Sequence, residues 1–187
     1  MFVSALKEHQ DCMATLEKAT GVIEAVAGLL ARTLSQQGKI LVCGNGGSAA
    51  DAQHFAAELI GRFERERAAW PAVALTTDTS ILSAIGNDYG FENIFARQVE
   101  GLGRRGDTLI GISTSGNSEN VLRAVAAGKN KGLHTVGLLG RDGGALVSAV
   151  DHAVVVEHAR TARIQEGHIL ILHYWAMYIE QVIGAAA

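Results

Sequence analysis

The chain has 187 residues, 48% of them hydrophobic and 19% charged, long enough to bury a core without disulfide or metal staples and too apolar to stay disordered. Its 16 Lys and Arg against 19 Asp and Glu give a net charge of −3, which argues against a nucleic-acid partner. Two cysteines, Cys12 and Cys43, make no disulfide framework, and Lys7, Glu8 and His9 stand where a signal peptide needs an apolar core, so a cytoplasmic protein is expected. The longest nearly apolar run, Ile169–Ile179, falls short of the roughly 20 residues that cross a bilayer, so no membrane partner is expected.

Residues 1–37 read as helix, with Leu16, Ile23 and Leu30 on one stripe beside Met13, Val26, Leu29 and Leu34. Gly21 is expected to break this region and Gly38 to end it. From Lys39 the texture changes. Lys39–Cys43, Ala72–Leu75, Thr108–Ile112, Thr135–Leu139 and Ala153–Val156 are short continuous apolar runs, the mark of strands buried on both faces. Helical stretches at about 48–63, 79–86, 92–102, 118–131 and 143–149 separate them, and a last helix spans about 161–183. This alternation predicts an α/β protein, a five-stranded parallel sheet wound on both faces by helices. With no linker or repeat, residues 1–187 are expected to form one domain, an N-terminal helical region (1–37) and an α/β core (38–187). Ile169–Ile179, apolar almost all round, suggests a subunit interface, an ordinary core helix being the simpler reading.

In an open parallel sheet, ligands bind beyond the carboxyl ends of the strands. After the first strand comes Gly44-Asn45-Gly46-Gly47-Ser48-Ala49-Ala50, a glycine-rich loop opening a helix whose free N–H groups face it. Gly44, Gly46 and Ala49 also match a dinucleotide fingerprint, but the acid it expects about 20 residues on is absent, Asp78 lying beyond 30. After the third strand comes Ser113-Thr114-Ser115-Gly116-Asn117-Ser118. Four hydroxyls at a helix start exceed the needs of a cap and suit a phosphate. Without the Gly-Lys-Ser/Thr ending of a nucleotide loop, a sugar phosphate fits better than ATP. Asn87 and Asp88, in the expected loop Gly86–Gly90, suit sugar hydroxyls or an ordinary turn.

His54 and Glu58 stand four apart on one helix face, where an imidazole and a carboxylate can share a metal or form a surface pair. On the last helix Gln165 and His173 share a face but lie about 12 Å apart along the axis. Either the reach to one ion is unusual or one of them serves a neighbouring subunit. His173, inside the most apolar segment, reads equally as a core histidine, and His168 as structural. The charged stretch Arg62–Arg67 and the pair Arg104 and Arg105 read as solvated.

Taken together, Gly44–Ser48, Ser113–Ser118 and Arg163-Ile164-Gln165-Glu166 resemble the sugar isomerase (SIS) family and, within it, the phosphoheptose isomerases. The similarity runs from about Gly38 to the C-terminus and includes Ala49–His54 and Ala74–Ser80. The N-terminal region matches in layout more than in residues. The resemblance implies a three-layer, flavodoxin-like SIS fold with the N-terminal helices packing in the oligomer. It implies a cytoplasmic homotetramer with active sites at subunit interfaces. The reaction it implies is aldose–ketose isomerisation of D-sedoheptulose 7-phosphate to D-glycero-D-manno-heptose 7-phosphate through an enediol, the first step toward the nucleotide-activated heptose of lipopolysaccharide and surface glycans. Glu58 would act as base and His173 as acid. One Zn²⁺ per subunit would be held by His54, Glu58, Gln165 and His173. The phosphate would sit on Ser113, Thr114, Ser115 and Ser118, with Asn45, Gly46, Gly47, Ser48, Glu58, Asn87, Asp88 and Gln165 completing the substrate site. The rival is a non-catalytic SIS relative that binds the DnaA initiator of replication. It shares a stretch like Arg62–Arg67 but lacks the catalytic pair and carries an altered phosphate loop.

Overall fold

In the computed structural model, which describes residues 1–184, the chain forms five strands and eight α-helices among the described residues. The last three residues of the expected 38–187 core lie outside that range. Helices α1 (Phe2–Thr15) and α2 (Thr20–Ser35) open the chain, joined by a 3-10 turn at Leu16–Ala19. The break thus falls before Gly21, which lies in the first turn of α2 with no neighbour near its Cα hydrogens. It falls where Leu16 turns into the core. Helix α2 ends as expected at Gly38, but the left-handed residue is Gln37, with φ 62°. Gly38 N–H donates to Thr33 C=O and Gln37 N–H to Leu34 C=O, the paired bonds of a Schellman stop.

The strands are β1 (Ile40–Gly44), β2 (Ala72–Ala74), β3 (Thr108–Ser113), β4 (His134–Gly140) and β5 (His152–Val156), within two residues of their expected bounds. All pair in parallel in the order β2-β1-β3-β4-β5, the flavodoxin-like winding. Alternate strand residues serve two cores. Ile40, Val42, Ile110, Ile112, Val136 and Leu138 face one, with α2, α3 (Gly47–Ile60) and α8 (Thr161–Ile183). Leu41, Cys43, Leu109 and Leu139 face the other, with α5 (Ala96–Leu102) and α6 (Glu119–Asn130). Burial on both faces explains why the strands read as unbroken apolar runs. Helices α4 (Thr79–Tyr89) and α7 (Leu146–Ala149) complete the chain.

Helix α2 belongs to this chain's own core. Val26, Ala27 and Leu30 are fully buried, and its Ile23 carbonyl accepts a bond from Trp175 Nε1–H of α8 at 3.0 Å. Helix α1 presents Phe2, Val3 and Leu6 to solvent. Along α8, Ile171, Leu172, Trp175, Ala176 and Ile179 are buried within the chain while Leu170 is half exposed. The apolar run is therefore an ordinary core helix on one side and uncovered on another. Helices α3 and α8 run side by side in the same direction: Gly47 meets Gln165, His54 meets His173, and the segment just after α3 meets Glu180. This parallel register builds the site.

Candidate active site

The two ligand loops flank the point where strand order reverses, between β1 and β3. In the first, Gly46 adopts φ 55° and ψ −120°, backbone open to glycine but strained for L side chains. Its carbonyl accepts the Ala49 and Ala50 N–H groups and so starts α3. The Gln165 carboxamide packs on the bare backbone of Gly47, which brings the start of α8 against this loop; a Cβ there would displace that side chain. Ser48 is buried in the first turn of α3.

The second loop is organised by its own hydroxyls. Ser113, at the end of β3 and 3% exposed, accepts the Gly116 N–H at 3.1 Å and pairs with the Ser118 hydroxyl at 2.9 Å. Ser115 accepts the Asn117 N–H at 3.2 Å. Ser118 stands at the N-cap of α6 without its side chain capping it, so the opening amides of α6 stay available to an anion. The loops are tied across the reversal by a reciprocal amide pair. Asn45 Nδ2 donates to Asn120 Oδ1 at 2.9 Å, and Asn120 Nδ2 to Asn45 Oδ1 at 2.8 Å. Asn120, inside the following helix, was not singled out from the sequence.

Further along the parallel helices, His54, Glu58 and His173 converge. One ligating atom from each lies within 4.8 Å of the others. His54 Nε2 is 3.1 Å from Glu58 Oε1 and 2.9 Å from His173 Nε2. Ligands around a tetrahedral Zn²⁺ at 2.0–2.1 Å lie about 3.3 Å from one another, so two imidazoles and a carboxylate at these spacings fit such an ion. Gln165, the fourth expected ligand, lies two turns back along α8 with its carboxamide against Gly47. His173 is half-buried and faces α3, which overturns its reading as a core histidine. His168 is the core histidine. It is fully buried, its Nε2–H donates to the Leu139 carbonyl at 3.0 Å, and burial pushes its pKa down to about 4. One chain brings His54, Glu58 and His173 together without a residue from a second subunit.

Three residues missed from sequence surround the cluster. Asp51, one turn before His54, has a buried Oδ2 with no partner; burial pushes its carboxyl up to about 6 against the pull of His54. Phe63 places its ring 5.4 Å from that of His173. Arg67 is not solvated as expected: its side chain is 4% exposed and bonded to Glu180, whereas Arg62 and Glu66 are exposed. Arg104 and Arg105 are exposed, as expected.

Asn87 and Asp88 lie in the last turn of α4, not in a loop, and Asn87 Nδ2 donates to Asp88 Oδ1. Among the described contacts neither touches the two ligand loops or the cluster. Asp78, far too late for a dinucleotide acid, caps α4 by accepting the Ile81 N–H at 2.9 Å. A cleft of about 810 Å³ opens beside the hydroxyl loop and is lined by Ser115, Asn117, Arg141, Asp142, His158 and Ala159. Arg141 and His158 follow the carboxyl ends of β4 and β5, where no local motif marks them in the sequence.

A doubly wound parallel sheet with two anion-ready loops at its switch point, beside an imidazole–carboxylate cluster, defines a sugar-phosphate enzyme of the SIS type. A family model described as the SIS domain matches residues 6–140. The phosphoheptose isomerase of Geobacter metallireducens is 55% identical over 180 residues, covering 96% of this chain and 95% of that one. The solved structure of phosphoheptose isomerase GmhA from Neisseria gonorrhoeae superposes with a TM-score of 0.91 at 48% identity, covering 96% of this chain and 97% of that one. That of a phosphoheptose isomerase from Francisella tularensis gives 0.88 at 38% identity, covering 97% and 99%. The chain belongs to the phosphoheptose isomerase family of SIS-domain proteins and is a sugar-phosphate isomerase.

Proposed function

We propose that the chain converts D-sedoheptulose 7-phosphate to D-glycero-D-manno-heptose 7-phosphate in the cytoplasm, supplying activated heptose for surface glycans. One observation carries the reading: Glu58 and His173 meet, with His54, within 4.8 Å in a single chain. The Glu58 carboxylate takes a proton from C1 of the ketose and returns it at C2. His173 protonates the C2 oxygen as the carbonyl becomes a hydroxyl and accepts the proton leaving O1, so the enediol forms and collapses with no net proton change. The phosphate rests on Thr114, Ser115 and Ser118 and the opening amides of α6, with Ser113 shaping the loop. Asn45, Gly46, Gly47, Ser48 and Gln165 line the sugar.

His54, Glu58 and His173 would hold a zinc ion, while Gln165, with its carboxamide against Gly47, stands too far back along α8 to join them in this arrangement. When bound, the ion supplies Lewis acidity toward the developing enediolate oxygens. A homotetramer fits the uncovered apolar residues Phe2, Val3 and Leu6 on α1 and Leu170 on α8. Among the described residues no helix is long and apolar enough to cross a membrane, and Cys12 and Cys43 are buried and unpaired, in keeping with a reducing compartment. A DnaA-binding role has no support in the site, where the base and the acid are both present and in contact range of His54.

The test is an isomerisation assay with sedoheptulose 7-phosphate, with added Zn²⁺ and after chelation. Aldose heptose phosphate forming at enzymatic rates in the zinc sample, and loss of rate on chelation, is the expected result. No product under either condition overturns the reading.

A further inference from the structure

We infer that Glu180 and Arg67, a buried pair outside the reacting centre, are positioning residues that hold Glu58, Phe63 and His173 in mutual register. The inference rests on the isomerase reading above.

Glu180 lies near the end of α8 and is 1% exposed. Its carboxylate receives four donors from the segment that follows α3. Oε1 accepts the Phe63 N–H at 2.8 Å and Arg67 Nε–H at 3.2 Å; Oε2 accepts the Glu64 N–H at 3.0 Å and the Arg65 N–H at 2.9 Å. The rest of the Arg67 guanidinium faces the end of α3. It donates to the carbonyls of Glu58 at 2.6 Å, Leu59 at 2.8 Å and Gly61 at 3.2 Å, and lies 3.8 Å over the Trp70 ring.

A helix ends with carbonyls that lack intrahelical partners. Here they belong to the turn that carries Glu58, and one cation satisfies them while bonded to a carboxylate on the helix that carries His173. Two helices with no covalent link nearby are thereby pinned at one level. The pinned segment also carries Phe63, whose backbone N–H bonds to Glu180 and whose ring lies 5.4 Å from the His173 ring at 36°. His173 sits two turns up α8 from Glu180, against His54 on its other side.

Stability alone accounts poorly for such a pair. Desolvating two charges is costly, and a well-packed apolar replacement is often as stable. An apolar pair, however, has no directional bonds with which to fix the end of α3 against α8. Acid–base catalysis depends on that fixing, because a misplacement of about 1 Å costs roughly a hundredfold in rate.

The experiment compares full-length wild type with Glu180→Gln and Arg67→Lys, using steady-state kinetics on sedoheptulose 7-phosphate and NMR of the isotope-labelled histidines, the His173 signal being assigned from a His173→Gln spectrum. Both variants are expected to move the His173 resonance and leave that of buried His168 in place. Their kcat is expected to fall between about tenfold and a hundredfold with KM within about twofold, since the phosphate loops are untouched. If Glu180→Gln does not fold, Arg67→Lys, which keeps the charge but loses the guanidinium bonds to the Glu58, Leu59 and Gly61 carbonyls, decides. An unmoved His173 resonance, or an unchanged kcat, in the folded variants overturns the inference. Wild type without isomerase activity overturns the isomerase reading instead, and the His173 resonance still reports on the positioning, because it needs no turnover.

Discussion

His54 Nε2 and His173 Nε2 stand 2.9 Å apart across 119 residues of sequence. Two imidazole nitrogens at this distance cannot both carry a proton, so the pair shares one hydrogen or faces a common cation. Glu58 Oε1, 3.1 Å from the same His54 nitrogen, completes a centre that can move a proton or hold a metal.

Removing the carboxylate tests the first capacity. Glu58→Gln keeps the shape and hydrogen bonding of the side chain but not its basicity. It is expected to lower kcat by about 10²–10⁴-fold while the protein elutes at its wild-type size. Steady-state rates and gel filtration check this, and a variant retaining a tenth of the wild-type rate would exclude Glu58 as the base.

Because the three residues meet within one chain, two inactive variants should not rescue each other. Mixed oligomers of Glu58→Gln and His173→Ala subunits are expected to stay inactive, since no single chain holds both groups. Activity regained in verified mixed oligomers would show that the centre is assembled across subunits.

The hydroxyl loop separates into frame and contact. Ser113 is buried and its hydroxyl bonds both the Gly116 N–H and the Ser118 hydroxyl, so Ser113→Ala removes two bonds that frame the loop, at a cost of about 1–3 kcal/mol. Ser115 is less buried and borders the open cleft. Ser115→Ala is therefore expected to raise KM for the sugar phosphate with little change in Tm, and Ser113→Ala to lower Tm as well as raise KM. Thermal melts beside KM measurements distinguish them, and equal melting losses would refute the division.

His168 should make the fold acid-sensitive. Its folded pKa, pushed down by burial to about 4, lies below the unfolded value near 6.5. The unfolded chain therefore binds the extra proton between these values. Stability is unaffected above pH ~6.5 and falls as pH drops toward 4, by up to roughly 3 kcal/mol at the lower end. His168→Gln, which does not titrate, is expected to flatten this part of the stability–pH curve measured by urea unfolding. An unchanged slope would mean that His168 is not the responsible group.

Much of the fold was legible because its signals are local. Continuous apolar runs of strand length alternating with helical stretches required a parallel sheet covered on both faces, and all five strands fall within two residues of expectation. The ligand loops were legible for the same reason: glycines with the following helix, and hydroxyls with theirs, are adjacent in sequence. Local signals also misled. Asn87 and Asp88 look like turn residues but lie within α4, because Asp78 caps that helix and its last turn runs on to Tyr89. Arg62–Arg67 reads as a uniform charged edge, yet only tertiary packing turns Arg67 inward onto Glu180.

The sequence by itself determined the fold class, the two anion loops and, through its motifs, the family. It also supplied His54, Glu58 and His173 as candidates but not their meeting. That meeting depends on α3 and α8 running parallel, with Gln165 against Gly47 at one end and Glu180 bonded to Arg67 at the other. Periodicity tells which face a helix buries. It does not tell which residue of another helix, more than a hundred positions away, arrives opposite, because that is fixed by packing and by hydrogen bonds that exist only in the assembled fold.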